Sequence, residues 1–168
     1  MRHVSRNSGL YGRLATAALI VGVSGSAFAL EAGPFARLAG QWRGSGTIAL
    51  VDGSQEPIKC RASYDVLDKQ RRLQLNIRCA SDSYNFDLRG SAMLDGRTVT
   101  GSWSETARNA AGKISGSARG DKIDVVANGP GFTADLTLLT RGDRQTVGIK
   151  SKEPQSSLQT VTIELTRG

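Results

Sequence analysis

Apolar and polar residues alternate with a period of two between residues 42 and 167, and short turn-like segments interrupt this alternation at nine points. A period of two places successive side chains on opposite faces of a strand, so each run predicts a half-buried β-strand. Tight turns between the runs favour antiparallel pairing of consecutive strands. The chain is therefore predicted to be all-β, with ten antiparallel strands in up-and-down order and a short N-terminal helical turn at residues 35–39.

The two cysteines that lie in the strands are predicted to form a disulfide. Reversing the chain at residues 69–70 brings Cys60 directly opposite Cys79, and facing residues of antiparallel strands are close enough for this bond. A redox-active pair is the alternative, but the long spacing and the apolar neighbours argue against it. A structural disulfide closing a loop of this size would stabilise the fold by about 3 kcal/mol.

The other hairpins can be aligned in the same way. Around Asp95-Gly96, a dipeptide typical of type I′ turns, the alignment places Leu88 opposite Trp103. Three further turns align apolar residues in the same manner, at residues 120–121, 130–131 and 142–143.

The even number of strands predicts a closed barrel. The last strand runs antiparallel to the first, and pairing the two would remove both exposed edges of the sheet. Closure would also bring Arg167, at the end of the last strand, beside Trp42 at the start of the first.

The sequence Leu-Ala-Gly-Gln-Trp at residues 38–42 contains a G-x-W at the entrance to the first strand. In this it resembles the calycins, the superfamily of lipocalins, fatty-acid-binding proteins and related barrels. In calycins an arginine or lysine of the last strand packs across the tryptophan, so the resemblance implies that Trp42 and Arg167 are barrel-closing structural residues. The resemblance covers residues 35–168, and ten strands are more similar to the fatty-acid-binding or nitrobindin-like branches than to eight-stranded lipocalins.

The N-terminus predicts a signal peptide at residues 1–29. Arg2, Arg6 and Arg13 precede an apolar stretch at residues 14–23, and residues 27–29 form an A-x-A cleavage site. The alternative is a membrane anchor, but the apolar stretch is shorter than the ~20 residues that a membrane span requires. The protein is therefore predicted to be periplasmic or secreted, without a membrane span.

Removal of the signal leaves residues 30–168 as a single barrel domain of 139 residues with a net charge of +4. The basic residues are scattered over the strands, which argues against a nucleic-acid partner. His3 is the only histidine and lies in the predicted signal, so the mature chain lacks the commonest general base and metal ligand. We expect no metal, no cofactor and no enzymatic activity, and haem binding through a histidine, as in nitrobindin-like proteins, is not expected.

The inward-facing positions of the strands include many small residues: Gly44, Gly46, Gly90, Gly101, Gly112, Gly116, Gly129, Ala62, Ala92, Ala110, Ala118, Ala127 and Ala134. Barrels with more than eight strands are wider than side chains easily fill, so small residues predict a ligand-sized cavity. The alternative is that the glycines permit sharp coiling of the strands around a filled core.

The longer loops lie at the end of the predicted barrel opposite Trp42, so we expect the mouth at that end. Phe86, Trp103 and Phe132 face inward near this mouth and are predicted to bind the ligand, with Tyr64 placed deeper.

Glu105, Arg108 and Asn109 form a polar cluster at the same end, and Glu105 occupies a position where the alternation predicts an apolar residue. The cluster is predicted to hold the polar head of a ligand. The alternative is that the strand has reached water at the rim.

These observations predict an exported protein that binds a small apolar or amphipathic molecule. One alternative is a protein-binding barrel of the cell envelope, because the sequence at residues 38–42 followed by a two-cysteine hairpin also resembles small secreted inhibitors of bacterial metalloproteases. In those inhibitors the N-terminal segment, here residues 30–37, enters the protease cleft. A structural or assembly protein of the envelope is a third alternative.

Overall fold

The structure, a computed structural model, describes residues 33–168 and contains ten strands. The strands are β1 (Gly40–Leu50), β2 (Gln55–Leu67), β3 (Arg72–Ala80), β4 (Asn85–Asp95), β5 (Thr98–Glu105), β6 (Ala110–Arg119), β7 (Lys122–Gly129), β8 (Phe132–Arg141), β9 (Arg144–Ser151) and β10 (Leu158–Arg167). The predicted signal peptide lies outside the described residues and stays a prediction. Within residues 33–168, no helix has the length and apolarity needed to cross a membrane.

Each strand pairs with its neighbours in the chain, and β1 also pairs with β10, so the sheet is a closed antiparallel barrel. This confirms the predicted fold. The closing pair places Trp42 directly opposite Arg167, as expected. The helical turn is present at residues 34–38, where the Leu38 N–H donates to the Phe35 carbonyl at 2.9 Å.

The predicted disulfide is present between Cys60 and Cys79, which face each other with Cα atoms 4.1 Å apart. The predicted alignments around residues 120–121, 130–131 and 142–143 are also confirmed.

The register predicted for the β4–β5 hairpin is wrong by two residues. Leu88 faces Glu105, and Trp103 faces Gly90 instead. The turn residues are Gly96 and Arg97, one position later than predicted, and Gly96 takes the positive φ of 58°. Glycine with a positive φ at the first turn position is typical of a type II′ turn. The shift of two residues keeps the same side chains facing inward.

Several inward-track glycines are sites of close approach between strands. A Cβ on Gly44 would overlap the Glu164 carbonyl oxygen of β10, and one on Gly46 would overlap the Thr162 carbonyl oxygen. Gly101 and Gly116 meet the carbonyls of neighbouring strands in the same way. These glycines therefore permit the coiling that closes the barrel, as the alternative interpretation held, and their number alone does not indicate an empty interior.

One end of the barrel is sealed by the segment before β1. Phe35 and Leu38 are each only 1% exposed and belong to the core. The Trp42 indole N–H donates to the Leu38 carbonyl at 2.7 Å, and the Arg167 guanidinium lies 4.2 Å from the centre of the Trp42 ring. Arg167 also donates to the carbonyls of Ala39 and Arg37, the latter at 2.8 Å. We call this end of the barrel the closed end. It is held by one arginine, Arg167, which bridges the first and last strands.

Candidate ligand site

A buried polar chain crosses the interior near the closed end. The Tyr64 hydroxyl of β2 donates to Oε1 of Gln145 on β9 at 2.9 Å, and Nε2 of Gln145 donates to the Thr140 hydroxyl at 3.0 Å. All three side chains are at most 2% exposed. Burial raises the pKa of the Tyr64 phenol, so the hydroxyl stays protonated and continues to donate.

The bond between Tyr64 and Gln145 runs through the interior, because β2 and β9 are not paired and β1 and β10 lie between them in the barrel. We call this chain of hydrogen bonds the floor of the interior. Tyr64 lies deep, as predicted, whereas Gln145 and Thr140 were not predicted from the sequence. The available signal was that both polar residues lie on inward tracks and face each other across the β8–β9 hairpin.

Above this floor, one part of the inner wall is incompletely buried. Several large apolar residues at inward positions remain half-buried, among them Leu75, Ile77, Leu88, Ile114, Leu136 and Ile149. By contrast, Ile48 and Ile58 on β1 and β2 are 0% and 1% exposed. We call the six residues the half-buried wall. Side chains of this size are buried in a filled core, so the packing inside the barrel is uneven.

Two aromatic groups lie toward the end opposite the floor. The rings of Trp103 and Phe132 meet edge to face with their centres 5.3 Å apart, and Trp103 is 6% exposed. Phe86 stacks with Tyr84 at 6.1 Å, and the Arg108 guanidinium lies 4.9 Å from the centre of the Phe86 ring. The structure therefore brings two of the predicted mouth aromatics, Trp103 and Phe132, together and places Phe86 against Tyr84 instead. Tyr64 takes part in neither pair.

Glu105 is 6% exposed, so the alternative that its strand has simply reached water is wrong. Its carboxylate accepts backbone N–H groups of Asp87 at 3.0 Å, Ala107 at 3.2 Å and Arg108 at 2.7 Å. The Arg108 guanidinium lies 3.7 Å from the same carboxylate. Glu105 therefore organises the β5–β6 loop.

The electrostatic balance at Glu105 keeps the carboxylate ionised. Burial acts to raise its pKa, but the three backbone hydrogen bonds and the charge of Arg108 outweigh burial, and the pKa lies below its usual value. Asn109 lies in the same loop with a φ of 49°, and its N–H donates to the Thr106 carbonyl at 3.4 Å. A ligand-binding role for Glu105, Arg108 and Asn109 stays a prediction.

The described residues offer little that suggests a metal centre. Within residues 33–168, no three His, Cys, Asp or Glu side chains are grouped so that they could hold a metal ion. The two cysteines are joined in the disulfide, which leaves no free thiol among these residues.

The outer face of the barrel carries a basic row that sequence analysis did not single out. Arg43 of β1 faces Arg61 of β2, and Arg61 faces Arg78 of β3. All three side chains are exposed, and Arg78 is paired with Asp87 at 3.3 Å. They border a shallow groove of about 770 Å³, which also includes Lys59. Like charges at facing positions repel one another, so this arrangement is not explained by stability.

Comparison with known proteins identifies the fold. The crystal structure of Rv2717c from M. tuberculosis matches with a TM-score of 0.60 and 13% identity, covering 79% of this chain and 93% of that one. The S-type phycobiliprotein lyase CPES from Guillardia theta matches with a TM-score of 0.57 and 10% identity, covering 80% and 90%. No protein-family model and no curated protein matches the sequence. Both structures resemble the closed barrel of this chain, and identities this low show the fold alone.

Proposed function

We propose that this protein binds one small apolar or amphipathic molecule inside its barrel. The half-buried wall is the observation that carries this proposal, because apolar surface that faces inward yet is not fully covered gains free energy when an apolar ligand covers it. The sealed closed end and the floor formed by Tyr64 and Gln145 leave the loop-bearing end as the way in.

We further propose that the protein acts by binding and not by catalysis. Glu105 is the only charged residue that is buried among residues 33–168, and it already accepts three backbone hydrogen bonds. The Tyr64 phenol is fixed to Gln145. A free general base or nucleophile is what catalysis at this site would need. One of the similar structures is a lyase, so the fold by itself does not decide between the two activities.

The binding proposal is tested with the neutral fluorescent probe N-phenyl-1-naphthylamine. We expect saturable binding to the wild-type barrel and at least a tenfold loss of affinity in Ile114→Trp, which places a large side chain on the half-buried wall. Ser115→Trp is the matched control, because Ser115 is the next residue and is exposed on the outer face. Circular dichroism and thermal melting establish that both variants fold.

Two results would remove the basis of this proposal. One is a wild-type protein that neither binds the probe nor yields any bound molecule on solvent extraction of freshly purified material. The other is equal probe binding by Ile114→Trp and Ser115→Trp, which would place the probe outside the barrel.

Export to the periplasm or the extracellular space belongs to the same proposal. Its support is the predicted signal at residues 1–29 together with the Cys60–Cys79 disulfide, a bond that persists in oxidising compartments. Mass spectrometry of the protein recovered from its source cells should give a chain that begins at Leu30. Recovery of the full-length chain from the cytoplasm with reduced cysteines would contradict export.

The second candidate is a protein-binding barrel, and the basic row of Arg43, Arg61 and Arg78 favours it through its charge. An acidic protein segment is the complementary partner. The protease-inhibitor mode is disfavoured, because Phe35, within the segment that would enter a protease cleft, is buried in the closed end. A fluorescent oligoglutamate peptide should bind the wild-type protein at low salt and lose affinity in Arg43→Ser/Arg61→Ser. Equal affinity for both proteins would remove this candidate.

A further inference from the structure

A row of facing positions on the inner wall surrounds Trp103 with glycines. Trp103 faces Gly90 on one side and Gly112 on the other, and Gly112 lies next to Gly129, which faces Phe132. A Cβ on Gly112 would lie 2.7 Å from Nε1 of Trp103, and one on Gly129 would lie 2.9 Å from its Cζ2. The indole therefore extends over two residues whose missing side chains make room for it, and it ends against the Phe132 ring.

The indole N–H of Trp103 has no hydrogen-bond partner among residues 33–168, although the side chain is 94% buried. The same group of Trp42 donates to the Leu38 carbonyl at 2.7 Å. Buried tryptophan N–H groups usually have a partner, and an unpaired buried donor is destabilising. The surroundings thus fix the indole in position while leaving its one polar group unpaired.

The charges near Trp103 indicate what kind of acceptor fits. Glu105 lies two residues further along the same inward track, a distance of about 7 Å along a strand, and its carboxylate is ionised. The positive charge of Arg108 is already engaged, because its guanidinium lies 3.7 Å from Glu105 and donates to the Asn85 carbonyl at 3.0 Å. Arg108 therefore offers no uncompensated positive charge to an anionic ligand group beside Trp103, whereas a neutral acceptor needs none.

We propose that the ligand carries a neutral carbonyl group, as in a ketone, ester or aldehyde, and that this oxygen accepts a hydrogen bond from Nε1 of Trp103. The inference rests on the proposed binding function and specifies the chemistry of its ligand. The apolar remainder of the molecule lies against Phe132 and the half-buried wall, of which Ile114 follows Gly112 by two residues on β6.

The test compares two probes of nearly the same shape, benzophenone and 1,1-diphenylethylene, which differ by a carbonyl oxygen in place of a methylene group. Each competes with N-phenyl-1-naphthylamine on the wild-type protein and on Trp103→Phe. We expect the affinity ratio of ketone to alkene to fall about two- to tenfold in Trp103→Phe, the range for one neutral hydrogen bond. Trp42→Phe is the control and should leave the ratio unchanged, because its N–H is already bonded to Leu38.

A second measurement needs no variant. In wild-type protein labelled with ¹⁵N, benzophenone should move the indole N–H resonance of Trp103 downfield, whereas 1,1-diphenylethylene should not. The Trp42 resonance should stay in place with both probes.

The outcomes separate this inference from the proposed function. Binding of the fluorescent probe with an unchanged ketone-to-alkene ratio, or with no downfield shift of the Trp103 resonance, overturns the carbonyl assignment and leaves the binding function standing. Tighter competition by diphenylacetate than by benzophenone overturns the requirement for a neutral acceptor. Failure of every probe to bind the wild-type barrel overturns both proposals.

Discussion

Replacing Arg167 by methionine removes the group that joins the two ends of the sheet while keeping an apolar stem of similar length. The guanidinium stacks on Trp42 at 4.2 Å, a contact that contributes about 0.5–1 kcal/mol at a partly exposed site. It also donates to the carbonyls of Ala39 and Arg37, and hydrogen bonds from a charged donor contribute about 1.5–3 kcal/mol each. The Asp143 carboxylate at 3.2 Å is 78% exposed and adds little.

Because the Arg167 side chain is 29% exposed, we take the lower values and expect a loss of about 3–4 kcal/mol in the free energy of unfolding. With a urea m-value of about 2 kcal/mol/M, the unfolding midpoint should fall by about 1.5–2 M. Amide hydrogens of β1 and β10 should exchange faster than those of β6 and β7, since the seam between the first and last strands is where the stability is lost.

The matched control is Arg144→Met, because Arg144 is an exposed arginine at the start of β9, facing Thr166. Its substitution should change the free energy of unfolding by less than about 0.5 kcal/mol. A loss below 1 kcal/mol for Arg167→Met, or an equal loss for Arg144→Met, would show that the bridge over Trp42 does not hold the barrel closed.

Three further changes should have distinct effects on stability. Cys60→Ala/Cys79→Ala should lower the free energy of unfolding by about 3 kcal/mol in urea titrations, and a reductant should lower the wild type by the same amount. Glu105→Gln should lose less stability on acidification than the wild type. The wild-type carboxylate has a lowered pKa in the folded state, so its contribution to the free energy of unfolding is complete above pH 4.5 and is lost as the pH falls below that value. Chemical unfolding at several pH values measures this difference. Gly44→Ala should destabilise the barrel by about 1–3 kcal/mol through overlap with β10, whereas Gly148→Ala, with no heavy atom within 4 Å of the added Cβ, should cost below about 0.5 kcal/mol, both measured by thermal melting.

Each of these has a result that would contradict it. Full insensitivity of the wild type to reductant would mean that the disulfide adds no stability. If the free energy of unfolding of Glu105→Gln falls as steeply on acidification as that of the wild type, the pH dependence belongs to other carboxylates. Equal melting temperatures for the two glycine variants would show that the strands around Gly44 separate without difficulty.

The alternation of apolar and polar residues was sufficient to predict the barrel because side-chain direction in a strand has a period of exactly two residues. A register error of two positions leaves that direction unchanged. Trp103 was therefore correctly predicted to face inward even though the β4–β5 hairpin was misaligned. The error arose from the turn: Asp95-Gly96 fits a type I′ turn in sequence, but Gly96 is used as the first turn residue and not the second. Composition of a turn does not by itself fix its position.

The candidate site was less predictable because its features depend on contacts between distant strands. Whether Gly44 lines a cavity or lets two strands approach is decided by β10, more than a hundred residues later in the chain. The role of Glu105 depends on three backbone N–H groups, of which one belongs to β4. Gln145 was overlooked because a polar residue on an inward track near a turn is commonly solvated, and its partner Tyr64 lies 81 residues earlier in the chain, on a strand that does not pair with β9.

The pairing of β1 with β10 also constrains when the protein becomes folded. Arg167 and Ala39, which it contacts, are 128 residues apart. While the ribosome still holds the last strand, β1 lacks one of its two partners and the growing chain is an open ribbon with unpaired edges. The barrel can therefore close only after β10 has been synthesised and released, and a chain without β10 would expose two unpaired strand edges and should aggregate.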